Sequence, residues 1–173
     1  MNPKKLFVVK NYSFAINSEE ELLACFDIKE QKKVVMPLKW KYPFTSQYHF
    51  SWTESSGVYM YLLFKQPHWD KPRGVVFNRK QASSEPANTR MCDWCHYFGP
   101  ADQVGLVTMK ANRQTSIGLM LCLDLGCIEK TETISMLSGR NFEKEAQKVC
   151  ERMGEFLDYT HNKYSLNEKA TDL

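Results

Sequence analysis

Two closely spaced cysteine pairs, Cys92-Asp-Trp-Cys95 and Cys122-Leu-Asp-Leu-Gly-Cys127, constrain this chain more than any other feature. Each pair can form a tight turn that aims two sulfurs in one direction, and the 26 residues between them are enough for a hairpin that brings the turns together. Four converging thiolates suit a closed, tetrahedral zinc site. Cys92, Cys95, Cys122 and Cys127 are therefore expected to hold one structural Zn2+. A small lobe without the metal would be short of core, and structural zinc supplies an apparent binding energy of about 10–16 kcal/mol.

Other uses of the same residues fit less well. Cys92-x-x-Cys95-His96 has the form of a c-type haem attachment site, but that reading leaves Cys122 and Cys127 without a role. A base deaminase needs a His-x-Glu and a proline before its Cys-x-x-Cys; no His-x-Glu occurs, and Met91 precedes Cys92. A thioredoxin-like dithiol uses one cysteine pair, not two. With four thiolates completing the shell, His96 is expected beside the site or exposed. Cys25 and Cys150 fall on apolar helical faces and read as small core residues. His49, His68 and His161 share no ligand spacing and receive no role.

The N-terminus has a short apolar stretch, Leu6 to Val9, below the roughly 7 residues of the shortest signal-peptide core. No apolar run approaches the roughly 20 residues of a membrane span. A cytoplasmic protein with no membrane partner is expected, and in that compartment paired cysteines are metal ligands more often than disulfides. Residues 1–85 carry 13 Lys/Arg against 8 Asp/Glu, whereas 86–173 carry 10 against 12. A dedicated nucleic-acid binder usually shows a clustered cationic excess, and the cysteine-bearing half is slightly acidic.

Along the chain, Ser18 and Glu21 have capping-box spacing ahead of Leu22, Leu23, Cys25 and Phe26, which predicts a helix. Val34 to Phe50 is rich in Pro, Lys and aromatic residues and is expected to be an irregular connection. Gly57–Phe64 and Gly74–Arg79 read as strands, separated by a proline-containing turn. Gln81–Thr89 is the most linker-like stretch and divides the chain into an N-terminal segment, 1–85, packed on a zinc-finger lobe, 86–173. Val104–Lys110 and Ser116–Leu123 predict a β-hairpin that begins after one cysteine pair and ends at the other. A helix capped by Asp124 should run to about Leu137 and stop at Gly139. Asn141 should cap a last helix whose apolar face is Phe142, Ala146, Val149, Cys150, Met153, Phe156 and Leu157. The expected class is α+β: a small mixed domain ending in a four-cysteine treble-clef finger built from a hairpin and helices.

Met91-Cys-Asp-Trp-Cys-His and Ser116-Ile-Gly-Leu-Met-Leu-Cys-Leu-Asp-Leu-Gly-Cys resemble the C-terminal treble-clef zinc finger of FusB/FusC-type proteins, most closely over about residues 57–160. The resemblance implies that Cys92, Cys95, Cys122 and Cys127 are the zinc ligands. It further implies a non-enzymatic protein that binds elongation factor G, helps it leave a stalled ribosome and protects translation from fusidic acid. The N-terminal part departs from the family pattern, being short and aromatic where the resistance proteins carry a fuller helical domain.

Chemistry alone suggests a contact surface. Trp94 and Phe98 flank the first cysteine turn, where aromatic side chains can anchor an interface. Lys110 and Arg113 fall at the expected hairpin tip, and Lys130 and Arg140 bracket the following helix, where cations could steer an acidic partner. The competing reading is a zinc protein that binds RNA or the ribosome, through Lys39, Trp40, Lys41, Tyr42 and Phe44. A monomer is expected in either case.

Overall fold

Residues 59–64, Tyr-Met-Tyr-Leu-Leu-Phe, form an unbroken apolar run, which in a strand demands cover on both faces. The computed structural model describes residues 10–36, 40–79 and 88–169, with the side chains of 164–169 left aside, and puts that run at the heart of a sheet. In chain order the elements are β1 (Phe14–Ile16), α1 (Glu19–Leu23), α2 (Ile28–Gln31), β2 (Phe44–Ser46), β3 (His49–Thr53), β4 (Tyr59–Phe64) and β5 (Arg73–Arg79). They continue with β6 (Arg90–Met91), β7 (Phe98–Gly99), β8 (Val104–Lys110), β9 (Ser116–Cys122), α3 (Cys127–Ser138) and α4 (Phe142–Lys169). A five-stranded antiparallel sheet has the order β3-β4-β5-β8-β9, and β1–β2 and β6–β7 make two small antiparallel pairs.

Alternation along β4 supplies two cores. Met60, Leu62 and Phe64 face one way, joining Phe77, Val104, Val107, Leu121 and the apolar stripe of α4. Tyr61 and Leu63 face the other way, against Ile16, Leu22 and Phe26. Fully burying a side chain of this size contributes about 1.5–3 kcal/mol, and all five of these β4 residues are completely buried. The stripe on α4 is the expected one: Ala146, Val149, Cys150, Met153 and Leu157 are buried, with Phe142 and Phe156 at its margins.

Local signals explain the helix ends. Ser18 accepts a hydrogen bond from the Glu21 amide while Glu21 reaches back to the Asn17 amide, closing the first turn of α1. Asn141 Oδ1 accepts from the Lys144 amide at 2.8 Å and starts α4. Gly139 ends α3 in the left-handed region at φ 66°, a conformation that glycine adopts without penalty.

Three expectations change. The segment 34–50 is not wholly irregular: β2 pairs with the unforeseen β1, and β3 forms a sheet edge beginning at His49. Its aromatic residues alternate with polar ones, but prolines and lysines mask the pattern. Asp124 is not the cap of α3. Gly126 occupies that position without a side-chain bond, while Asp124 Oδ1 accepts from the Gly126 amide one turn earlier. Cys25 lies beyond the end of α1, half-buried in the turn that follows.

The proposed boundary at Gln81–Thr89 falls mostly outside the described residues, as do Lys39 and the N-terminal stretch through Val9. Strands from both sides of that boundary share the large sheet, because β5 pairs with β8 from Phe77↔Met109 to Arg79↔Val107.

Candidate metal centre

Two turns and a helix start bring the cysteines together. Cys92 and Cys95 sit in the tight connection from β6 to β7, where the His96 amide donates to the Cys92 carbonyl and the Cys92 amide to the Tyr97 carbonyl. Cys122 ends β9 and Cys127 opens α3. Between them the Leu125 amide donates back to the Cys122 carbonyl at 2.9 Å. His96 and Leu125 both take positive φ, 59° and 53°, so each turn closes through a left-handed residue other than glycine.

Asp93 joins the two turns. Its amide donates to the Met120 carbonyl at 2.7 Å, and its Oδ2 accepts from the Met120 amide at 2.8 Å. The first turn is thereby tied to the strand that delivers Cys122. Arg152 of α4 donates to the Trp94 carbonyl and secures the same turn from below.

The four sulfurs lie within 4.8 Å of one another. Cys92 and Cys127 are 3.7 Å apart, and Cys95 and Cys122 are 3.6 Å apart. Four thiolates at the Zn–S distance of about 2.3 Å have sulfurs about 3.8 Å apart at the corners of a tetrahedron, so the cradle fits Zn2+. Hydrogen bonds from Cys122 and Cys127 hold the Cys92 and Cys95 thiols below their ordinary range, and the same network pushes Cys127 well above it. Such a set shares protons that a dication displaces on binding. Cys92, Cys122 and Cys127 are buried and only Cys95 is partly exposed, which suits a structural ion with no open coordination position.

The remaining predicted site residues do not form one patch. Trp94 is 2% exposed and packs edge-to-face on Phe77, with ring centroids 5.8 Å apart. It belongs to the core beneath the metal centre, and this corrects its expected place on a contact surface. Phe98 is 65% exposed and lies opposite Met91, 42% exposed, across the β6–β7 pair. Lys130 is half-buried: its Nζ donates to Asp124 Oδ1 at 2.7 Å and lies 5.7 Å from the centre of the Tyr97 ring. Arg140 is exposed between α3 and α4. Lys110 and Arg113 are exposed at the hairpin tip. The tip is six residues along β9 from Cys122, or about 20 Å at strand rise. His96 is exposed, and its imidazole takes no place among the four sulfurs.

Sequence reasoning missed Asp93, Arg152 and His49. Asp93 had a visible signal in its position between two cysteines, but Arg152 and His49 are distant in sequence and had none.

No helix among the described residues is long and apolar enough to cross a membrane. A family model described as the FBP C-terminal treble-clef zinc-finger matches residues 20–163. No curated protein and no solved structure matches the chain.

Proposed function

The chain belongs to the FBP C-terminal treble-clef zinc-finger family, the FusB/FusC-type finger, and from that premise we propose that it is a non-enzymatic, cytoplasmic protein that binds elongation factor G. The observation that carries the reading is the family match itself. It extends back to residue 20 and so takes in the aromatic half together with the four-cysteine centre. Promotion of factor release from the ribosome, and with it tolerance of fusidic acid, follows as the proposed consequence.

The surface supports a protein partner. Met91 and Phe98 are an exposed apolar pair on a rigid, metal-stapled turn, the sort of preorganised anchor that binds without a large ordering cost. The rings that an RNA-stacking mode would use are turned on one another. Trp40 lies 4.7 Å from Phe50 and 4.8 Å from Trp52, and Phe44 lies 4.7 Å from Phe50, so these rings are partly consumed by packing. That favours the protein partner over bare RNA.

Titration calorimetry of the zinc-loaded chain into purified elongation factor G, at two salt concentrations, tests the proposal. A one-to-one complex that persists at the higher salt is expected, and Phe98→Ala should weaken it by about tenfold or more. Absence of heat at both salts, with one zinc per chain confirmed, would overturn it.

A further inference from the structure

At the far end of the hairpin from the metal centre β8 ends, and β5 runs on beyond it. Pairing between β4 and β5 continues to Phe64↔Arg73, and that between β8 and β9 to Lys110↔Ser116. Pairing between β5 and β8 stops at Phe77↔Met109. β8 ends one residue later, at Lys110, while β5 extends past the tip to Arg73, and a hollow of about 400 Å³ opens between β5, the hairpin tip, α2 and α4.

Its charge is lopsided. Among the described residues that line it, Lys33 stands near α2, Lys110 and Arg113 on the hairpin side and Arg73 between them, with the carboxylates Asp27 and Glu30. Glu30 is already bonded to Lys33 at 2.9 Å. Arg73 bonds Asp158 at 3.4 Å and lies 4.1 Å over the Trp69 ring. Among the described residues, Lys110 and Arg113 are exposed and form no ion pair with a carboxylate.

Shape narrows the ligand further. A second hollow of about 270 Å³ borders the first and shares Glu30, Lys33, Met109 and Lys110 with it. Val75, Met109 and Leu157 give it an apolar lining. A bare phosphate would use the cations and leave that lining empty. An extended peptide that alternates acidic and apolar residues uses both, because successive side chains of a strand point to opposite sides.

We propose that this notch is a second contact site, which takes an extended acidic segment of a protein partner. The proposal rests on the protein-partner reading above and adds to it a site at the hairpin tip, at the other end of β9 from Cys122. Acidic residues of the segment meet Lys110 and Arg113, and its apolar residues lie on Val75, Met109 and Leu157.

Fluorescence anisotropy with the full zinc-loaded chain and a labelled (Glu-Val)5 decapeptide at physiological salt tests it. Saturable binding is expected, no binding of (Lys-Val)5, and a loss of about tenfold or more in the K110E/R113E variant. Both substituted residues are exposed, and equal zinc content and melting temperature in the variant show that its fold is intact. No peptide binding, equal binding of the lysine peptide, unchanged affinity in the variant, or displacement of the peptide by a lower concentration of a ten-residue oligouridylate each overturns the proposal. The same two proteins titrated into elongation factor G separate the two readings. Peptide binding without factor binding removes that factor as the partner and leaves the notch standing. Factor binding without peptide binding removes the notch alone.

Discussion

His49 Nε2 lies 3.0 Å from the carbonyl oxygen of Leu125, and since a carbonyl only accepts, this nitrogen carries the proton. Leu125 is the left-handed residue of the turn between Cys122 and Cys127. A histidine on edge strand β3, in the first half of the chain, therefore braces the turn that presents two of the four metal ligands. Burial holds the imidazole below its usual pKa of 6.5, although the bond to the Leu125 carbonyl pulls the other way.

His49→Ala should cost about 1–3 kcal/mol, the penalty for leaving a buried carbonyl without its donor. It should also hasten transfer of zinc to a chelator, whereas His49→Gln, which keeps a donor at similar reach, should restore most of both. The pH dependence has a definite sign. The folded pKa is depressed, so the unfolded chain takes up the proton first. The stability this residue contributes is full above about pH 6.5 and drains as pH falls toward the folded pKa. Denaturant melts of zinc-saturated wild type and His49→Gln between pH 5 and 8 should differ in slope below 6.5. Parallel curves would remove His49 from the account.

Cys122→Ala should abolish stoichiometric zinc and melt more than the finger. Cys92, Cys122 and Cys127 share one apolar cluster with Met60, Phe64 and Phe77, so the metal anchors the centre of the large sheet. A variant with three ligands forfeits a large part of the about 10–16 kcal/mol that structural zinc supplies. Metal analysis with circular dichroism checks this: loss of zinc with wild-type secondary structure and melting temperature would show that the sheet stands without it.

What the sequence disclosed followed the range over which each signal acts. The cysteine turns, the hairpin from Val104 to Cys122, the stop at Gly139 and the stripe on α4 are local patterns, and each appears where the spacing put it. β1 and β2 are three residues apiece, too short to show alternation, and they exist because they pair with each other. Trp94 looked like an anchor because an aromatic residue in a metal turn can face either way. Its burial on Phe77 is decided by β5, which sequence spacing does not reveal. The hollow at the hairpin tip depends on the register of β5 against β8, and that too is a tertiary fact.

The two cysteines outside the metal centre should be inert in the folded chain. Burial, with Glu21 adding to it, pushes the Cys25 thiol up to about 11, and burial with Glu151 pushes Cys150 up to about 12. At pH 8 only about one Cys25 in a thousand is then thiolate, the species that alkylates. Iodoacetamide followed by peptide mass spectrometry should leave both unmodified over a period that labels a free-thiol peptide completely. Removing zinc first should expose Cys92, Cys95, Cys122 and Cys127. Rapid labelling of Cys25 in the zinc-loaded protein would contradict the burial described.

Gly154→Ala tests a contact between the sheet and α4 that runs against helix propensity. Alanine in a helix interior is ordinarily better than glycine by about 1 kcal/mol. Here a Cβ on Gly154 would collide with the side-chain amide of Gln66, which is buried and donates to the Cys150 carbonyl at 3.0 Å. The added methyl must expel that side chain and break its bond, at about 1–3 kcal/mol, so the net effect should be destabilising. In a Gln66→Ala background the obstacle is gone, and Gly154→Ala should then be neutral or stabilising. A double-mutant cycle of chemical melts reads the coupling directly. Independent, additive effects of the two substitutions would mean that α4 shifts to admit the methyl and that Gln66 does not fix its distance from the sheet.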